Sequence, residues 1–151
     1  MFDYMMTKEQ IKIRDEARDF VKWVPRQMIL DMDTDKIKFP KEFLQEAGRR
    51  NLLGCRYPKK WGGRDLDWVT TCMLMEEVGT LGYEFACVFG VGAELVCDAI
   101  ILHGTDEQKE KYVKPLLRVK YSRRSALPNR AVVRISSELQ PKLKIRAIII
   151  F

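Results

Sequence analysis

Residues 67–104 read DWVTTCMLMEEVGTLGYEFACVFGVGAELVCDAIILHG. Asp67 suits a helix N-cap, and after it Val69, Cys72, Met73, Leu74, Val78 and Leu81 leave only Glu76 and Glu77 as an evident polar strip, which predicts a largely buried helix. From Phe85 to Leu102 the chain is nearly all apolar, broken by Glu94 and Asp98, and it stops at Gly104, a usual residue just past a helix end. That length approaches a membrane span. Two carboxylates in its second half, with Gly90 and Gly92, make it the central helix of a soluble bundle instead.

The flanks read the same way. Upstream, Thr7 and Gln10 have capping-box spacing, and Ile13, Ala17, Phe20, Val21 and Val24 form the apolar face of a helix that ends near Pro25. Residues 26–38 are mixed and predict a short helix and a loop. Pro40 suits the first position of a helix carrying Phe43, Leu44 and Ala47 into a stop at Leu52, Leu53 and Gly54. The loop RYPKKWGGRDLD (56–67) follows, marked by Pro58 and the Gly62-Gly63 pair. Downstream, Thr105 and Gln108 repeat the capping-box spacing and open a charged helix with Pro115 near its end. No strand-like alternation or internal repeat precedes Leu117, so the fold class is all-α, a multi-helix bundle.

The 151 residues allow one ordinary domain. Charge divides the chain: residues 1–117 carry 18 Lys+Arg against 20 Asp+Glu, a net −2, while residues 118–151 carry 9 against 1, a net +8. All glycines precede Leu117, and no Asp follows it. Residues 1–117 are therefore read as the domain and residues 118–151 as a basic tail, disordered or forming short strands. Cys55, Cys72, Cys87 and Cys97 have no C-x-x-C spacing, and His103 is the one histidine, so neither zinc nor a disulfide framework is expected. The N-terminus has no signal-peptide pattern, which places the protein in the reducing cytoplasm.

Taken in order, T7-K-E-Q-I-K-I-R-D-E-A-R-D-F-V, F39-P-K-E-F-L-Q-E-A-G, N51-L-L-G, Y57-P-K-K-W-G-G, M75-E-E-V-G and H103-G-T-D-E-Q-K-E-K-Y-V-K-P-L-L resemble the N-terminal helical domain of flavin-dependent acyl-CoA dehydrogenases. The resemblance covers about 117 residues. It implies a helical domain packed against a β-barrel domain and a C-terminal four-helix domain, with FAD and an acyl-CoA thioester between them. One departure is visible: family loops of the form P-x-x-Y-G-G-x-G-x-D appear as P58-K-K-W-G-G-R-D-L-D, with Asp65 in place of the last glycine.

A larger departure begins at Leu117, after which the family continues toward a flavin-contacting segment of the form T-E-P-x-(A/G)-G-S-D. This chain reads RVKYSRRSALPNRAVVRISSELQPKLKIRAIIIF. Codons formed from the third base of one residue and the first two of the next permit Thr, Glu and Pro across Leu127 to Arg130. After one free residue they permit Gly, Gly, Ser and Asp across Ala131 to Ile135. The tail is accordingly expected to be out of frame from near Leu117. The chain is then a truncated acyl-CoA dehydrogenase, inactive alone, whose FAD would not be held without the other domains.

In such an enzyme the base and the flavin contacts lie outside this domain, which contributes an apolar wall for the acyl chain. By position before the H-G-T-D-E-Q turn, the resemblance assigns substrate binding to Cys87, Val88, Val91 and Leu95; ordinary core packing explains the same stripe. Glu94 and Asp98, four apart, read as a solvated or interdomain strip in preference to an acid–base pair or a metal site. His103 is expected to interact with the helix C-terminus, the cysteines to be core residues, and Trp61 to pack its loop. No metal, no specific nucleic acid and no membrane span are expected, and exposed apolar helices would favour self-association. The alternative is a non-enzymatic helical binding module whose basic tail grips nucleic acid or an acidic membrane surface.

Overall fold

The computed structural model describes residues 3–90 and 94–119. The chain divides into a unit spanning Met1–Lys120 and a second spanning Tyr121–Phe151; the expectations for the tail fall on the second, outside the described residues. Among the described residues every regular element is helical: α1 (Lys8–Trp23), α2 (Arg26–Asp33), α3 (Lys41–Arg49), α4 (Trp68–Gly79), α5 (Tyr83–Gly90), α6 (Val96–His103), α7 (Asp106–Gln108) and α8 (Lys114–Leu117), with single 3₁₀ turns at Asp3–Met5 and Lys59–Trp61. The all-α expectation holds.

The caps form where the hydroxyl and carboxylate spacings placed them. Gln10 N donates to Thr7 Oγ1 at 3.2 Å and Thr7 N to Gln10 Oε1 at 2.9 Å, and Thr105 with Gln108 repeats the box. Asp67 accepts from Thr70 N at 2.7 Å, and Gln10 Nε2 reaches Asp67 Oδ2 at 2.9 Å. One glutamine thus ties the starts of α1 and α4 together, and α1 and α4 pack along each other.

At the centre Phe43 meets Phe20 and Phe85, each with ring centroids 5.0 Å apart, and Phe89 closes the cluster at 6.2 Å from Phe43. All four rings are buried, with Ile13, Ala17, Ala47, Leu74 and Val78 around them. The four rings come from α1, α3 and α5, so their burial fixes these helices together and dominates the stability of the unit.

The described part of the run 85–102 is helical throughout: α5 spans Tyr83–Gly90, Glu94 and Leu95 lie in a π-helical turn, and α6 spans Val96–His103. A second π turn, Lys109–Val113, links α7 to α8. Pro115 follows it. Proline has no N–H to donate and its ring crowds the carbonyl four residues back, and a widened turn accommodates both defects.

One expectation is corrected. α4 is not largely buried: Thr70, Thr71, Met73, Leu74 and Val78 face inward, while Trp68, Val69 and Cys72 are exposed. Gly104 follows α6, as expected, with φ −81°. Space is the constraint there, because a Cβ would lie 2.5 Å from the Ile100 carbonyl oxygen.

Candidate functional site

The stripe on α5 splits by face. Phe85 and Phe89 point into the aromatic core, whereas Cys87 and Val88 are half-buried. Leu95 is 68% exposed although its neighbours Val96 and Cys97 are buried. Leu95 is therefore no core residue, while Cys87 and Val88 lie between core and surface. Val91, the fourth residue of the predicted wall, lies outside the described residues. Leu102, 71% exposed at the end of α6, extends the apolar surface of that helix.

Behind Leu95 lies a charged cluster that sequence reasoning missed. Arg56, from the loop after α3, donates from Nε to Glu94 Oε2 at 2.9 Å and pairs through Nη2 with Asp98. Its guanidinium lies 3.9 Å from the centre of the Trp68 ring and 4.7 Å from that of Tyr57. The buried Tyr57 hydroxyl donates to the Glu94 carbonyl at 2.7 Å. The Glu94 and Arg56 side chains are only 14% and 12% exposed, so the expected solvated strip is corrected: the i, i+4 acids flank one guanidinium. The one available signal was a lone arginine inside the apolar run Leu52 to Tyr57.

Burial pushes the Glu94 carboxyl above its ordinary range against the pull of Arg56, and Asp98 adds repulsion. Arg56 moves in its own favour: burial opposes its charge, but the Asp98 hydrogen bond and both carboxylates outweigh that. The asymmetry follows from two acids sharing one cation.

His103 is exposed at the end of α6. The cysteines are mixed rather than uniformly core: Cys55 and Cys97 are buried, Cys87 is half-buried, Cys72 is exposed, and all four are free thiols. Trp61 is buried in its loop, as expected, with Lys60 Nζ 4.4 Å from its ring centre. Among the described residues no group of His, Cys, Asp and Glu could hold a metal ion, and no helix is long and apolar enough to cross a membrane.

The exposed groups of α4, α5 and α6 suit an apolar ligand better than a dinucleotide. Trp68, Val69, Tyr83, Leu95 and Leu102 offer no cation for a pyrophosphate, and Arg56 is committed to Glu94 and Asp98. This face therefore carries no uncommitted cation for a flavin's pyrophosphate.

Comparison with known proteins places this geometry. The family model described as "Acyl-CoA dehydrogenase, N-terminal domain" matches residues 7–120. A 3-(aryl)acrylate reductase of Clostridium sporogenes is 31% identical over 112 residues, 74% of this chain and 29% of that protein. The mitochondrial isovaleryl-CoA dehydrogenase of Bos taurus is 25% identical over 143 residues, 92% of this chain and 33% of that protein. The crystal structure of an acyl-CoA dehydrogenase complexed with FAD from Bacillus anthracis superposes with a TM-score of 0.70 at 27% identity, covering 76% of this chain and 19% of that one. The chain thus spans about a third or less of the length of these relatives.

Proposed function

Because the chain belongs to the acyl-CoA dehydrogenase family through its N-terminal domain, we propose that residues 7–117 form the apolar wall that receives the acyl chain of an acyl-CoA thioester, and that the chain is catalytically silent alone. Leu95 carries this reading. Leu95, 68% exposed beside buried Val96, and Leu102, 71% exposed seven residues on, leave an apolar surface that an acyl chain would cover. Cys87 and Val88 on α5 and Val91 complete the proposed wall. The α,β-dehydrogenation itself needs a hydride acceptor, which FAD supplies in the whole enzyme. The part of this domain is to hold the acyl chain in register and keep water from it. A reducing compartment, the cytoplasm, agrees with four free thiols.

A chimera tests the assignment. Residues 7–117 replace the corresponding domain of a relative with FAD and acyl-CoA activity, and Leu95→Glu is then introduced. The expected result is flavin-loaded enzyme whose KM for acyl-CoA rises at least tenfold with Leu95→Glu. A flavin-loaded chimera indifferent to that substitution and to Val88→Glu overturns the wall. The unaltered chain is expected to purify colourless, and stoichiometric flavin in it would refute the silent-fragment reading.

A further inference from the structure

The Arg56 cluster has features that the acyl wall does not require. Two carboxylates, Glu94 and Asp98, share one guanidinium, which leaves an excess negative charge in a largely buried place. Glu94 Oε1 is buried without a well-formed hydrogen bond, and beside Arg56 the Gly54 backbone N–H also favours the charged carboxylate. The groups facing Glu94 are Arg56 and Tyr57 from the loop after α3 and Asp98 and Cys97 on α6, with Cys55 also within electrostatic reach. Arg56 alone among them is cationic, and it is tethered twice.

We propose that Arg56 is an acid-loosened clamp: uptake of one proton by Glu94 releases one of its two tethers, and the guanidinium shifts over the Trp68 ring. The Arg56 guanidinium is then held to α6 through Asp98 alone, while the Tyr57 hydroxyl keeps its bond to the Glu94 backbone carbonyl. The Glu94 proton is favoured by burial and by the neighbouring Asp98 carboxylate, so uptake begins at milder acidity than for a free glutamate. The clamp joins the turn that carries Leu95, through Glu94, to Trp68, so a protonation event behind the apolar face is transmitted to its rim.

The full chain, labelled with ¹³C and ¹⁵N, tests this by NMR titration from neutral to acidic pH, following Glu94 Cδ and the Trp68 indole N–H. Both signals are expected to move with one shared midpoint above 4.5, the ordinary glutamate value. Asp98→Asn removes the like charge and is expected to lower that midpoint. Glu94→Gln is expected to abolish the Trp68 transition. A Glu94 midpoint at or below 4.5, a Trp68 signal that does not follow Glu94, or a transition that survives Glu94→Gln each overturns the clamp. The midpoint and the Asp98→Asn shift decide the matter even where Glu94→Gln fails to fold.

Discussion

Arg56 Nε donates to Glu94 Oε2 across 38 residues of sequence at 2.9 Å. Arg56→Met leaves a mostly buried carboxylate without its cation and is expected to cost about 3 kcal/mol at neutral pH, measured by urea denaturation. Adding Glu94→Gln should recover at least half of that loss, because the orphaned charge goes with it. A double variant no more stable than Arg56→Met would show that the guanidinium acts through its packing on Trp68 and Tyr57 alone.

The loop between Pro58 and Asp67 yields opposite effects at neighbouring positions. Asp65 takes the left-handed conformation with φ 64°, a backbone that glycine adopts without the cost it carries for a side chain. Asp65→Gly is expected to stabilise by about 0.5 kcal/mol. Gly63 is limited by space, since a Cβ there would lie 2.1 Å from the Tyr57 carbonyl oxygen. Gly63→Ala is expected to cost more than about 3 kcal/mol, and thermal melts of both variants check the pair.

Local signals made much of this legible in the sequence. Thr7, Asp67 and Thr105 announced their caps because a short side chain serves an amide three residues on, a relation contained in spacing. Phe20 and Phe43 were readable as core by periodicity, whereas the nearly all-apolar run from Phe85 gave no pattern that would single out Phe85 and Phe89. Arg56 was not readable, because its partners Glu94, before α6, and Asp98, on α6, and its ring on α4 converge only after the helices pack. The exposure of Trp68, Val69 and Leu95 was equally hidden, since composition does not tell a face buried in its own unit from one awaiting a partner. The π turn at 109–113 goes with Pro115, and simple helical periodicity does not anticipate it.

Val119, just beyond α8, has φ 47°, a costly conformation for a β-branched residue where helices usually end on glycine. The frame that permits the family segment further on permits glycine here too, because the third base of an arginine codon followed by the GT of valine can read GGT. Val119→Gly is expected to stabilise the unit by about 1 kcal/mol. The nucleotide sequence through codons 116–151 should reveal a displaced frame. A confirmed frame with no family segment in either alternative would end that proposal.

Glu46 accepts from both Arg49 Nε and Arg50 Nε, each at 2.7 Å. Those hydrogen bonds hold its carboxyl down to about 2 from an ordinary 4.5. A depressed carboxylate contributes stability above its unfolded value and loses it as pH falls toward its folded one, so the contribution is full above about 4.5 and gone near 2. Arg49 is well exposed, so screening limits the effect to about 1 kcal/mol. Glu46→Gln should therefore destabilise by about that amount at neutral pH, with the difference from the parent chain closing in acid. A constant difference across the titration would assign the effect to helix packing instead.

The last expectation concerns association. Trp68 and Leu95 are 63% and 68% exposed, and Val69, Tyr83 and Leu102 add further uncovered apolar side chains on α4, α5 and α6. Single exposed apolar residues are ordinary in monomers, but contiguous patches beyond a few hundred Å² mark surfaces that pair. The chain should therefore bind a hydrophobic dye and sediment as species whose size grows with concentration. Leu95→Gln with Leu102→Gln should shift that equilibrium toward monomer while leaving the helical circular dichroism unchanged, because neither side chain belongs to the Phe20–Phe43–Phe85–Phe89 core. Coexpression with the barrel and C-terminal domains of a relative should raise soluble yield by covering the same residues. If the double variant associates as strongly as the parent while the added domains still improve yield, self-contact runs through another surface and α6 serves the domain interface alone.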